Sequence, residues 1–130
     1  MVKIVTTLFL LTTIFYCVQS RDNNKLIHDI IRDHEIVIFS LSFCQPCASV
    51  KNIFRDLNMK FFEFVIDHQG EDSFEILDIL SLLTGRTSVP QVFINKKFVG
   101  GYKEIQEMYE NGTLVNFCDC LDCECSMETY

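Results

Sequence analysis

Short apolar runs alternate with stretches of helical periodicity along this chain of 130 residues, and that alternation constrains its fold more than any other feature. Residues 36–39 and 61–66 are predominantly apolar runs rich in β-branched and aromatic residues, which is typical of buried strands. In residues 23–33 and 45–57 the apolar residues recur three and four positions apart, which predicts amphipathic helices. The first half is therefore predicted to be helix, strand, helix and strand, in that order.

The second half of the chain adds a helix, a hairpin and two further helices. Apolar residues recur at helical spacing between 76 and 83, and Gly85 stands where a helix C-cap is expected. Residues 91–94 and 97–99 are short strand-like runs, and the two-residue link between them predicts a hairpin. Two short helices are predicted around residues 105–109 and 114–117. Strand–helix–strand followed by a hairpin predicts the α/β class, with a four-stranded mixed sheet flanked by helices.

The first segment differs from the rest of the chain. Lys3 precedes an apolar run over residues 4–18, Ser20 supplies a small residue, and the chain turns polar from Arg21. This order is typical of a secretory signal peptide. A membrane anchor is the alternative interpretation, although the run is shorter than the ~20 residues that a spanning helix needs.

Cleavage after Ser20 would divide the chain into three parts. We expect a signal peptide over residues 1–20, a folded domain over 21–117 and a cysteine-rich acidic tail over 118–130. The last four residues are not an ER-retrieval signal, so we expect the mature protein to be secreted. The formal net charge of −7 disfavours nucleic acid and anionic membranes as partners, because both would repel the chain. We expect the mature domain to be a monomer.

A C-x-x-C motif, Cys44-Gln45-Pro46-Cys47, lies between a predicted buried strand and the start of a predicted helix. The unpaired N–H groups and positive dipole end of such a helix stabilise a thiolate. Helix-terminal sites lower the pKa of cysteine from about 8.5 to roughly 3.5–7.5. Cys44 is therefore the predicted nucleophile, and Cys47, one turn further on, the resolving cysteine. The alternative interpretation of a lone C-x-x-C is half of a zinc site.

A second segment favours the redox interpretation. About forty residues after the cysteines, Pro90 opens a predicted strand after a loop, which is a natural place for a cis peptide bond. A cis bond there would leave the backbone of Val89 free to pair with a bound peptide or thiol.

These segments together resemble a glutaredoxin. The resemblance rests on Phe39-Ser40 before the cysteines, Asp67 after the second strand, the run from Thr84 to Ile94 with Val89-Pro90, and Val99-Gly100-Gly101. It covers residues 24 to 117 and implies a thioredoxin-like fold. It also implies a glutathione-dependent thiol–disulfide oxidoreductase that acts on protein disulfides or glutathione mixed disulfides. The residues expected to line the glutathione groove are Val89, Pro90, Gly101, Tyr102 and Lys103.

The chain departs from the family pattern near the groove. The lysine that often stands three residues before the first cysteine is Leu41 here. The acidic residue often found two positions after the glycine pair is Lys103, which would face the amino group of glutathione with the wrong charge. Gln45-Pro46 stands where the family usually has Pro-Tyr. The changes at Leu41 and Lys103 predict weaker binding of glutathione.

The tail carries a C-x-C-x-x-C-x-C run made by Cys118, Cys120, Cys123 and Cys125. Disulfides, a site for zinc or another soft metal, and a redox relay to Cys44 and Cys47 are all open interpretations. The tail therefore suggests an alternative function, a metal- or iron–sulfur-binding protein. Asn111-Gly112-Thr113 is a candidate glycosylation site in a predicted surface loop.

Overall fold

A computed structural model of the chain describes residues 1–7 and 22–117. Residues 2–7 are helical. Most of the predicted signal peptide lies outside the described residues, and so do the tail cysteines Cys118, Cys120, Cys123 and Cys125. Within the described ranges, no helix has the length and apolar character needed to cross a bilayer.

The described elements follow the predicted order closely. The helices are α1 (Asn23–Asp33), α2 (Gln45–Asp56), α3 (Ser73–Thr84), α4 (Tyr102–Glu110) and α5 (Thr113–Asn116). The strands are β1 (Ile36–Ser40), β2 (Phe62–Val65), β3 (Gln91–Ile94) and β4 (Lys97–Gly100). A 3-10 segment, Ile66–Asp72, joins β2 to α3, and the sequence pattern did not predict it.

The four strands form one mixed sheet in the order β2-β1-β3-β4. β1 runs parallel to β2, with Phe39 opposite Phe64. β1 is antiparallel to β3, and β3 is antiparallel to β4. The predicted four-stranded mixed sheet is therefore confirmed, and β1 lies at its centre with the cysteine motif following its carboxyl end.

Alternating residues of the strands divide the core into two clusters, one on each face of the sheet. Val37 and Phe39 face the first cluster, with apolar residues of α1 and α3. Ile36 and Ile38 face the second, with residues of α2, α4 and α5. Because all five residues of β1 are buried, its unbroken apolar run is what the fold requires.

Local sequence signals place the ends of several elements. Pro46 occupies the first turn of α2, where its missing N–H is not needed. Gly85 ends α3 with a φ of 72°, a left-handed conformation that glycine adopts without steric cost. Asn95 and Lys96 form the hairpin turn, both with positive φ, so lysine adopts here a conformation in which glycine is usual.

Phe39 is the central aromatic side chain of the first cluster, so its truncation should destabilise the fold strongly. It is fully buried, and its ring lies edge-on to the rings of Phe64 and Phe93. The distance between ring centroids is 5.7 Å in both pairs. We expect Phe39→Ala to lower the free energy of unfolding by about 3–5 kcal/mol in urea denaturation. Phe74→Ala, at a side chain that is 79% exposed, should change it by less than about 0.5 kcal/mol. Equal losses in the two variants would contradict this description of the core.

Candidate active site

Cys44 and Cys47 form a disulfide at the start of α2, with their Cα atoms 5.2 Å apart. Cys44 is the N-cap residue, and its Sγ accepts a hydrogen bond of 3.1 Å from the backbone N–H of Cys47. Cys44 is half-buried, whereas Cys47 is only 1% exposed. Strand β1 and helix α2 therefore place one sulfur near the surface and the other beneath it.

The loop before Cys44 is held by two residues that follow β2. The carboxylate of Asp67 accepts a hydrogen bond of 2.9 Å from the N–H of Ser42. Hydrogen bonds from the hydroxyl and the N–H of Ser42 hold the pKa of Asp67 below its ordinary value. The Nε2 atom of His68 lies 3.0 Å from the hydroxyl of Ser42. His68 directly follows Asp67 in the chain, and no sequence motif assigned it a role.

The peptide bond between Val89 and Pro90 is cis, as the sequence predicts. Pro90 is buried, and together with Val89 it lines a groove of about 220 Å³ next to the cysteine motif. All five residues expected to line a glutathione groove do line this one, and so do Pro46, Arg86, Ser88 and Glu104.

Two glycines allow the wall of the groove to form. Gly100 has a φ of 148°, and a Cβ atom there would lie 2.6 Å from the Cβ of Glu104. A Cβ atom on Gly101 would lie 3.1 Å from the carbonyl oxygen of Pro90. A side chain at Gly100 would therefore clash with Glu104, and one at Gly101 would press on the backbone of the Pro90 loop.

An ion pair that sequence analysis missed also lies along the groove. The carboxylate of Glu104 bonds the guanidinium of Arg86 and accepts a hydrogen bond of 2.9 Å from the N–H of Gly101. These two interactions, that with Arg86 first, lower the pKa of Glu104 to about 2. The only sequence signal was an acidic residue at the third position of a helix, where it can cap the helix start.

The remaining residues near the site differ in their surroundings. Leu41 is half-buried against the first core cluster and does not line the groove. Lys103 is exposed and does line it. Phe43, directly before the first cysteine, is fully exposed.

Far from the groove, Asn111 is exposed at the end of α4, and its side-chain oxygen accepts a hydrogen bond of 3.0 Å from the N–H of Thr113.

The described part of the chain contains no group of three or more His, Cys, Asp or Glu residues that could hold a metal ion. A second cavity of about 280 Å³ lies at the opposite end of β1, between Asp33 and Phe62. No cysteine lines it.

Comparisons with known proteins show the family of this chain. A family model described as Glutaredoxin matches residues 36–99. Glutaredoxin-C8 of Oryza sativa subsp. japonica is 39% identical over 92 residues, which cover 70% of this chain and 68% of that protein. Glutaredoxin-C4 of Arabidopsis thaliana is 42% identical over 84 residues, which cover 65% of this chain and 62% of that protein.

Solved structures show the same fold. A buckwheat glutaredoxin–glutathione complex superposes with a TM-score of 0.70 at 29% identity, covering 75% of this chain and 87% of that chain. A wheat glutaredoxin superposes with a TM-score of 0.71 at 31% identity, covering 78% of this chain and 94% of that one. The predicted thioredoxin-like fold is confirmed.

The lowered pKa of Glu104 predicts that its contribution to stability depends on pH. Its pKa is about 2 in the folded chain and near 4.5 when unfolded, so the contribution is complete above pH 5 and is lost as the pH falls toward 2. Glu104→Gln should therefore destabilise the fold at pH 7 by on the order of 1 kcal/mol, a value reduced for solvent screening at this partly exposed pair. The difference from the parent in urea denaturation should shrink between pH 5 and pH 2. Glu107→Gln, on an exposed part of α4, serves as the control, and a difference that stays constant with pH would contradict the assignment.

Proposed function

The chain belongs to the glutaredoxin family of thiol–disulfide oxidoreductases, and on this basis we propose that Cys44 and Cys47 reduce disulfides with electrons from glutathione. The observation that carries the proposal is the disulfide at the first turn of α2, with one sulfur half-buried and the other 1% exposed, beside the Val89–Pro90 groove. The substrates are protein disulfides or glutathione mixed disulfides.

Cys44 is the attacking residue of the proposed reaction. In the disulfide form its sulfur lies at the N-terminus of a 12-residue helix and accepts the N–H of Cys47, and after reduction both features would favour the thiolate. The thiolate attacks one sulfur of the substrate disulfide, and the electron pair of the broken bond leaves with the other sulfur. A mixed disulfide then joins Cys44 to the substrate.

Two routes lead from the mixed disulfide. In the first, Cys47 attacks the Cys44 sulfur, the second substrate sulfur leaves as a thiol, and the Cys44–Cys47 disulfide forms. Two molecules of glutathione then reduce that disulfide and are themselves joined as glutathione disulfide. The second route starts when Cys44 has attacked the glutathione sulfur of a glutathione mixed disulfide and has released the other thiol. A second glutathione then attacks the glutathione sulfur bonded to Cys44, Cys44 leaves as a thiolate and glutathione disulfide forms, so the resolving cysteine is dispensable for this substrate.

Glutathione is the proposed co-substrate. Its support is the groove next to the cysteines, together with the bound glutathione named in the buckwheat structure. The free backbone of Val89 suits the peptide part of glutathione, and Tyr102, Lys103 and Gly101 line the opposite wall. Lys103 would repel the amino group of glutathione, as the sequence suggests.

Glu104 adds a carboxylate to this wall, one residue beyond the lysine. It is ionised at neutral pH, but Arg86 already neutralises its charge. The uncompensated charge at this end of the groove therefore comes from Lys103. At position 41, where the family often has a lysine, this chain has a leucine that packs against the core. That position therefore contributes no positive charge to the groove.

We also propose that the protein acts in the secretory pathway as a monomer, with Asn111 open to glycosylation there. The support is the N-terminal apolar segment and the exposure of Asn111. The alternative function, metal or cluster binding by the tail cysteines, stays a prediction, because those residues lie outside the described part of the chain.

The roles of the two cysteines predict different losses of activity. Cys44→Ser should abolish the reduction of a glutathionylated peptide, because only the thiolate at the helix start can attack. Cys47→Ser should keep a measurable rate on that peptide, because glutathione replaces the resolving cysteine, and should lose activity on a protein disulfide. The assay compares initial rates for both substrates. A Cys44→Ser variant as active as the parent would refute the proposed function.

Reversing the charge of Lys103 should improve glutathione binding. In Lys103→Asp a charge-assisted hydrogen bond to the amino group replaces a repulsion, so the KM for glutathione should fall by about ten-fold. Lys97→Asp, at an exposed position of β4 outside the groove, controls for the change in overall charge. If both substitutions change the KM equally, the amino group of glutathione does not face Lys103.

A further inference from the structure

Three polar residues form a half-buried cluster that the proposed reaction does not use. The carboxylate oxygen Oε1 of Glu63 lies 2.8 Å from the Nζ atom of Lys51 and accepts a hydrogen bond of 2.6 Å from the hydroxyl of Ser40. The Lys51 and Glu63 side chains are 22% and 25% exposed, and Ser40 is fully buried. Most surface ion pairs are far more exposed than this one, so its charges are less screened.

The alternation of the strands places this cluster under helix α2. Ser40 has the same orientation in β1 as Ile36 and Ile38, which pack in the second core cluster with α2. Glu63 alternates with Phe62 and Phe64, which pack in the first, so Glu63 lies on the α2 side of the sheet as well.

Cys47 shares this side of the sheet. It is buried on α2, and Lys51 follows it by four residues, so the two side chains are neighbours on one helix face, with Cβ atoms about 5–6 Å apart. Lys51 is thus a helix-face neighbour of the more deeply buried cysteine, and Glu63, bonded to Lys51, lies on the same side of the sheet. The second core cluster, to which α2 contributes Val50, Ile53 and Phe54, lies on this side of the sheet as well, and an apolar environment weakens solvent screening.

We propose that the Lys51–Glu63 ion pair controls when Cys47 loses its proton, and thereby the rate of the resolving step. In that step the Cys47 thiolate attacks Cys44, the mixed disulfide breaks, and the leaving substrate sulfur takes up a proton. Lys51 and Glu63 are positioning residues, since they act on Cys47 by their charges. The inference rests on the proposed roles of the two cysteines.

The two charges act on Cys47 in opposite directions. The ammonium of Lys51 stabilises the Cys47 thiolate, and the carboxylate of Glu63 opposes it. Burial pushes the pKa of Glu63 upward, but the hydrogen bonds from Lys51 and Ser40 and the charges of Lys51 and Arg55 outweigh it, so this pKa lies below its ordinary value. The carboxyl group of Glu63 is therefore ionised at neutral pH.

Other charged or titratable groups near Cys47 belong to the elements around α2. Arg55 is exposed on α2 itself, and α4 contributes the half-buried phenol of Tyr102 together with Lys103 and Glu104 at the groove. Asp67 is bonded to the loop before Cys44. None of the substitutions in the test below changes these groups, so their effects on Cys47 are common to all variants.

The test measures the pKa of Cys47 in the full chain carrying Cys44→Ser, under reducing conditions. The carbon shift of ¹³Cβ-labelled cysteine reports ionisation even for a buried thiol. Lys51→Met should raise the pKa of Cys47 by about one unit, and Glu63→Gln should lower it by about one unit. Lys51→Arg, which keeps the charge, and the double variant, which removes both charges, should stay close to the parent. Lys60→Met and Glu107→Gln, both exposed and remote, are the matched controls.

Shifts of opposite sign support the proposal, because a merely structural loss would move the pKa of Cys47 in the same direction in both variants. Equal directions, or no shift in either, overturn it. If Glu63→Gln does not fold, the comparison of Lys51→Met with Lys51→Arg decides alone, and equal pKa values for these two overturn the proposal. A parent chain inactive on glutathionylated peptide would refute the proposed function instead, and the titration of Cys47 would still be interpretable.

Discussion

The start of helix α2 at Cys44 is the constraint on which the rest of the site depends. A helix leaves its first N–H groups without intrahelical partners, and here the sulfur of Cys44 accepts one of them. The central buried strand fixes where that helix begins, because β1 ends four residues earlier and cannot shift without exposing its apolar side chains. The cysteine that needs a thiolate is thereby held at the positive end of a helix, and its partner is buried one turn further on.

The opposite wall of the groove depends on close approach of the backbone. Glycine at 100 and 101 allows α4 to begin against the Pro90 loop, and Glu104 then binds both the Gly101 N–H and Arg86. Because the carboxylate of Glu104 is paired with Arg86, it does not neutralise Lys103, and the groove keeps the positive charge of that lysine. In the proposed function, a family fold is thus combined with a groove in which Lys103 would face the amino group of glutathione.

Much of this could be predicted from the sequence, because the responsible signals are local. The strand run at 36–39, the glycine at 85 and the proline at 90 each require one backbone arrangement, and the elements lie where these residues indicate. The 3-10 segment after β2 was missed because its apolar content is low and its turn depends on Gly70, with a φ of 65°. The Arg86–Glu104 pair joins residues eighteen positions apart that meet only after the sheet has formed, so no local pattern reveals it. The same holds for Ser40, Lys51 and Glu63.

The central claim is that the helix start makes Cys44 the reactive thiolate. The most direct measurement is the rate at which iodoacetamide modifies each cysteine of the reduced chain as a function of pH, with peptide mapping to separate Cys44 from Cys47. The account predicts that Cys44 is modified first, with an apparent pKa inside the range of roughly 3.5–7.5 typical of helix-terminal thiols. Modification of Cys44 with an apparent pKa near the ~8.5 of a free thiol, or modification of Cys47 at an equal rate, would contradict it.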